Sequence, residues 1–206
     1  MSARLDRPHV FLPGGADRPG VPLLMLHGTG GDEHDLLALA QRLSPASPVL
    51  SPRGSVLEGG MARFFRRQAE GVFDEDDLRA RTDELADFVL AASAEYDVEP
   101  GAWVAVGFSN GANIASSLLM RRPEVLSGAV LFAAMVPYAQ PPSGADLSRH
   151  RVVVSNGDRD PMAAREQTAL LVAQLRALGA QLEELPHPGG HTIDPTVLSR
   201  IAELMG

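Results

Sequence analysis

From residue 21 to its end, this chain alternates short apolar runs with helical patterns, and that alternation constrains its fold more than any other feature. A parallel strand buried on both faces reads as a continuous apolar run, whereas a helix crossing back over the sheet reads as an apolar stripe at intervals of three and four. Strands are predicted at Val21 to Leu26, Val49 to Ser51, Ala102 to Phe108, Ala129 to Met135, Arg151 to Ser155 and Gln181 to Leu185, with a short early one at Val10 to Leu12. Helices are predicted over Asp32 to Leu43, Asp77 to Tyr96, Ser109 to just before Pro123, and Pro161 to Leu178. A last helix is capped by Asp194, with Pro195 at its first position. The expected class is α/β, a mostly parallel central sheet with helices on both faces, built as one domain over residues 1–206. Pro52 to Asp76 and Pro137 to His150 show neither period. Both follow strands on the side where such sheets bind ligands, so they are expected to be irregular and to shape a cleft.

Composition removes several chemistries. A net charge of -8 argues against a nucleic-acid footprint, and no apolar run approaches the ~18 residues of a membrane span; the longest, Ala129 to Val136, fits a core strand. Met1 to Gly20 is broken by proline, glycine and charge where a signal peptide would be continuously apolar, so a cytoplasmic location is expected. All 18 basic residues are arginine, which excludes a lysine Schiff base and a phosphate-loop lysine. The chain has no cysteine, which excludes a thiol nucleophile, a disulfide and thiolate metal sites. Neither cofactor nor metal is expected, and a homodimer is left open.

The chemistry is carried by Gly107-Phe108-Ser109-Asn110-Gly111, which follows the apolar run Ala102 to Val106 and opens a helix rich in small residues. A serine on a sharp strand-to-helix turn has its hydroxyl exposed above the sheet edge, and flanking glycines remove side chains that would clash there. Ser109 is therefore the candidate nucleophile. His191, in Pro188-Gly189-Gly190-His191, lies on the loop between the last strand and the last helix, within reach of that serine as a general base. His187 is its rival. Pairing both histidines on zinc would need a helix, which Pro188, Gly189 and Gly190 forbid. Asp160 ends Asn156-Gly157-Asp158-Arg159-Asp160-Pro161 and is expected to orient the imidazole; Asp158 is the alternative, a turn residue beside Gly157. Arg159 is expected in solvent.

The glycines of His27-Gly28-Thr29-Gly30-Gly31 let backbone N–H groups approach an oxyanion, so the amides of Thr29 and Asn110 are expected to receive it. A dinucleotide site is a poor alternative, because Glu33 occupies the third glycine position. His27 is expected to be a structural hydrogen-bonder and His34 to lie on an exposed helix face. Phe64, Phe65, Phe73, Met135 and Met162 are candidates to line an apolar acyl or aromatic pocket. The chain order of nucleophile, acid and base is that of the α/β hydrolases.

These segments resemble the carboxylesterase/phospholipase branch of the α/β hydrolases, which includes lysophospholipases and acyl-protein thioesterases, and within it the short bacterial esterases. The resemblance runs over nearly the whole chain. It rests on Leu26 to Glu33, Ser51-Pro52-Arg53-Gly54, Arg63-Phe64-Phe65-Arg66-Arg67, Gly107 to Gly111 and Gly157 to Pro161. It implies the α/β-hydrolase fold and an acyl-enzyme route at Ser109, Asp160 and His191, with Thr29 and Asn110 at the oxyanion. It also implies carboxylic-ester substrates, with thioesters as an overlapping class. The chain lacks an inserted cap domain between Ala134 and Arg151, so an open cleft favouring short acyl chains is expected. A binding protein retaining the fold is disfavoured because all three catalytic positions are filled, and a haloalkane- or epoxide-type hydrolase would need an aspartate at position 109.

Overall fold

In the computed structural model, residues 5–15, 20–69 and 71–205 are described. Seven strands form the central sheet: β1 (His9–Leu12), β2 (Leu23–Leu26), β3 (Val49–Pro52), β8 (Trp103–Phe108), β9 (Leu126–Phe132), β10 (Arg151–Ser155) and β11 (Gln181–Glu184), in the order β1-β3-β2-β8-β9-β10-β11. Only β1 runs antiparallel to its neighbour; the other pairs are parallel.

Alternation along each strand divides the core in two. Leu24, Leu26, Ala105, Ala129, Leu131, Val152 and Val154 face one side, where they pack with α2 (Glu75–Glu95), α3 (Asn110–Arg121) and α4 (Arg165–Ala177). Leu23, Met25, Val106, Val130, Phe132 and Val153 face the other, against α1 (Leu37–Leu43) and α5 (Leu198–Met205). This is the doubly covered parallel sheet expected from the alternation. No helix among the described residues is long and apolar enough to cross a membrane.

Local chemistry shifts several boundaries. The fifth strand ends at Phe132 and not Met135, because Ala133 turns to φ 51° and the next two amides leave the sheet for side chains, Ala134 N–H to Asn156 and Met135 N–H to Asn113. The helix expected from Asp32 starts only at Leu37, since the Asp32 carboxylate accepts the N–H of His34 and closes a turn. The helix expected from Pro161 starts at Arg165. Asp160 Oδ1 takes the N–H groups of Met162 and Ala163, holding that stretch outside a helix. Asp194 caps a 3₁₀ turn over Pro195–Val197 before α5 begins.

Pro52 to Asp76, expected to be irregular, contains two hairpins: β4 (Val56–Glu58) with β5 (Met61–Arg63), and β6 (Arg67–Ala69) with β7 (Val72–Phe73). The first turns on Gly59-Gly60, both at positive φ, the conformation that matches the twist of a two-residue hairpin.

Candidate active site

At the carboxyl end of β8 the chain turns at Ser109, whose φ of 53° and ψ of -116° make it a strained corner between strand and helix. Its N–H is held by the Phe132 carbonyl at 2.9 Å. The corner is possible only because its flanks lack side chains. A Cβ on Gly107 would lie 2.5 Å from the Gly111 carbonyl oxygen, and one on Gly111 would lie 1.9 Å from that of Leu26. The Ser109 hydroxyl stands at the start of α3, where the first N–H groups have no intrahelical acceptor.

His191 Nε2 lies 2.9 Å from Ser109 Oγ, and His191 Nδ1 lies 2.8 Å from Asp160 Oδ2. The Asp160 side chain is fully buried. That burial is the largest influence on its pKa and pushes it upward, but the N–H groups of Ala163 and Met162 and the His191 ring together prevail and hold it below the ordinary carboxylate value. A buried, hydrogen-bonded carboxylate fixes an imidazole in the tautomer whose Nε2 is free to take a proton.

Two loops are clamped to each other to make this meeting. Asp158 N–H donates to the His187 carbonyl at 2.8 Å, Arg159 N–H to that of Gly189 at 3.0 Å, and His187 N–H to that of Asn156 at 3.2 Å. Asp158 and His187 are both turned away from Ser109 by other partners. Asp158 faces outward and pairs with Arg165 at 3.1 Å. His187 is buried, its Nδ1 accepting from Gly189 N–H at 3.2 Å and lying 3.6 Å from Asp194. Arg159, expected in solvent, is exposed, yet its Nε donates to the Pro188 carbonyl at 2.6 Å and adds to the clamp.

Across the cleft, the loop after β2 is tied down at several points. His27 is buried; its Nδ1 donates to the Gly28 carbonyl at 2.6 Å, and its Nε2 accepts from Gly54 N–H at 2.9 Å. Burial pushes its pKa down, against the Gly28 carbonyl and nearby acids. Glu33 binds Arg53 through two contacts, one of 2.8 Å, and this hydrogen-bonded pairing lowers its pKa. The Leu26 to Glu33 and Ser51 to Gly54 segments are thus joined both by His27 and by this pair. His34 is exposed, but in the Asp32 turn that precedes α1 and not on a helix face. Thr29 borders the Ser109 cleft, and its Oγ1 accepts from Arg63 Nη1 at 2.9 Å. Asn110 Oδ1 accepts from Phe64 N–H at 2.7 Å.

The cleft at Ser109 has a volume of about 100 Å³. Met135, Met162 and Phe73 line it. Phe64 and Phe65 do not. They are buried in the larger core, Phe64 beside the His27 ring and Phe65 edge-on to Phe73, because the Phe64 backbone is captured by Asn110 and both rings turn inward. Sequence reasoning missed Arg63, Arg67 and Asn113 as lining residues. The available signal was the run of three arginines around the two buried phenylalanines, Arg63 before them and Arg66 and Arg67 after.

Sheet order, the strained serine corner and the hydrogen-bonded histidine and aspartate together are those of an α/β hydrolase. No family profile matches the chain. MhqD of Bacillus subtilis (strain 168), which bears the name of a hydrolase, is 45% identical over 187 residues, covering 90% of each chain. The Bacillus cereus carboxylesterase is 41% identical, with a TM-score of 0.92 over 97% of this chain and 93% of that one. YahD, whose structure was solved with malic acid, is 30% identical, with a TM-score of 0.89 over 96% of this chain and 97% of that one. The chain belongs to the carboxylesterase/phospholipase branch of the α/β hydrolases, and the protein is a hydrolase.

Proposed function

We propose that this protein is a serine carboxylesterase that hydrolyses small carboxylic esters through an acyl-enzyme, working as one catalytic domain in the cytoplasm without cofactor or metal. The observation that carries the proposal is the continuous chain from Ser109 Oγ to His191 Nε2 at 2.9 Å and from His191 Nδ1 to Asp160 Oδ2 at 2.8 Å.

Ser109 Oγ attacks the ester carbonyl carbon while its proton passes to His191 Nε2, and Asp160 stabilises the imidazolium that results. The carbonyl oxygen, now negative, is received by the backbone N–H groups of Thr29 and Asn110, with the start of α3 adding its partial positive charge. Collapse of the tetrahedral intermediate breaks the bond to the alcohol oxygen, which leaves with the proton from His191. Water, deprotonated by the same imidazole, then attacks the acyl-enzyme and releases the acid.

A cleft of about 100 Å³ walled by Met135, Met162 and Phe73 fits a short or aryl group better than a long acyl chain. Malic acid, the compound in the YahD structure, is of comparable small size, which supports a small substrate here. Thioesters and lysophospholipids are alternative substrates for the same residues. A panel of p-nitrophenyl esters of increasing chain length, aryl esters and acyl-CoA tests the reading. The highest kcat/KM is expected on a short or aryl ester; a maximum on long-chain acyl-CoA would make the protein a thioesterase, and no turnover of any member would refute the proposal.

A further inference from the structure

Two guanidinium groups, Arg63 and Arg67, border the same cleft as Ser109. Neither has a place in the ester chemistry. Arg63 is nearly inaccessible, its side chain 5% exposed, with Nε donating to the Phe65 carbonyl at 3.2 Å and Nη1 to Thr29 Oγ1. Its burial pushes its pKa below the ordinary arginine value, with the Arg67 charge adding to that effect and the Glu58 charge opposing it. One carboxylate serves both cations: Glu58 Oε2 lies 3.5 Å from Arg63 Nε, and Glu58 Oε1 lies 2.7 Å from Arg67 Nε. Two positive charges therefore share one negative charge at this wall, and no carboxylate is among the described residues lining the cleft.

The same wall carries a third donor. Asn110 is 2% exposed and lines the cleft, and its Nδ2 has no hydrogen-bond partner although its Oδ1 is engaged by Phe64 N–H. That engagement fixes which end of the amide is left over. A buried donor without an acceptor is costly, and a half-neutralised arginine pair is costly beside an alkyl chain; a ligand carboxylate relieves both.

Resting on the Ser109 reading, we propose that Arg63, Arg67 and Asn110 Nδ2 form an anion subsite, and that the preferred substrates are small esters carrying a free carboxylate, such as monoesters of short dicarboxylic acids. The apolar wall of Met135, Met162 and Phe73 takes the remainder of the molecule.

The test compares two esters matched in length, mono-p-nitrophenyl succinate and p-nitrophenyl butyrate, on the parent protein and on Arg67→Gln. Arg67 is partly exposed on a short hairpin, and its Nε donates to Glu58 at 2.7 Å and not to Thr29 or Ser109. The parent is expected to favour the succinate ester in kcat/KM by about tenfold or more, carried mainly by KM, and Arg67→Gln to shrink that ratio several-fold. Added succinate is expected to inhibit butyrate-ester hydrolysis competitively, where succinamide does not. A parent that favours the neutral ester, or a ratio unchanged in Arg67→Gln, overturns the subsite while leaving the Ser109 chemistry standing. Failure to hydrolyse either ester overturns the subsite, and the Ser109 reading falls with it only if no aryl ester or acyl-CoA of the panel is turned over either.

Discussion

The N–H of Asp158 donates to the carbonyl of His187 at 2.8 Å, and through this contact the loop after β10 is registered against the loop after β11. With the backbone of Asp158 so held, its side chain faces out to Arg165, and the next acidic residue, Asp160, is carried under the His191 ring. Which aspartate serves the imidazole is decided by this register and not by proximity in sequence.

Replacing Asp160 with asparagine is therefore expected to cost about 10⁴-fold in kcat, because an amide donating to Nδ1 selects the wrong imidazole tautomer. Asp158→Asn removes only an outward ion pair and is expected to cost less than about 1 kcal/mol of stability and little activity. Steady-state kinetics of the two variants on one chromogenic ester check the assignment; a larger defect in Asp158→Asn would reverse it.

His27 links pH to stability. Its folded pKa lies below its unfolded value, so its contribution is fully present above the ordinary imidazole value of ~6.5 and is lost as pH falls from there through the folded value. Protonation would place a hydrogen on Nε2, facing the Gly54 N–H that donates to it. His27→Phe is expected to lose roughly 1–3 kcal/mol at pH 8, from the stranded Gly28 and Gly54 backbone groups. Urea denaturation of both proteins between pH 8 and pH 5 measures the linkage: the gap in stability should narrow on acidification, and a gap that widens would contradict this role for His27.

The parts of the fold legible in the sequence are those where one chemical period dominates. Trp103–Phe108 is apolar enough to be buried on both faces, and the glycines at 107 and 111 mark a backbone crossing that admits no Cβ. The parts read incorrectly are those where a side chain redirects the backbone. Asp160 takes two N–H groups that would otherwise begin a helix at Pro161, and Asn113 and Asn156 take the amides that end β9 early. Phe64 and Phe65 illustrate a different limit, since an aromatic residue near a site has the same sequence signature whether it faces cleft or core. Their direction follows from the contact between Phe64 N–H and Asn110, residues 46 apart in the chain. The β4–β5 hairpin was signalled by Gly59-Gly60, but strands of three residues are too short for an alternation to register.

Covalent capture of Ser109 tests the central claim most directly. The protein, treated with a fluorophosphonate and digested, is expected to carry one phosphonyl adduct on the peptide containing Gly107 to Gly111, with Ser109→Ala unlabelled and its ester turnover reduced about 10⁴-fold or more at unchanged stability. Labelling at another serine, or turnover by Ser109→Ala within about tenfold of the parent, would contradict a mechanism built on this residue.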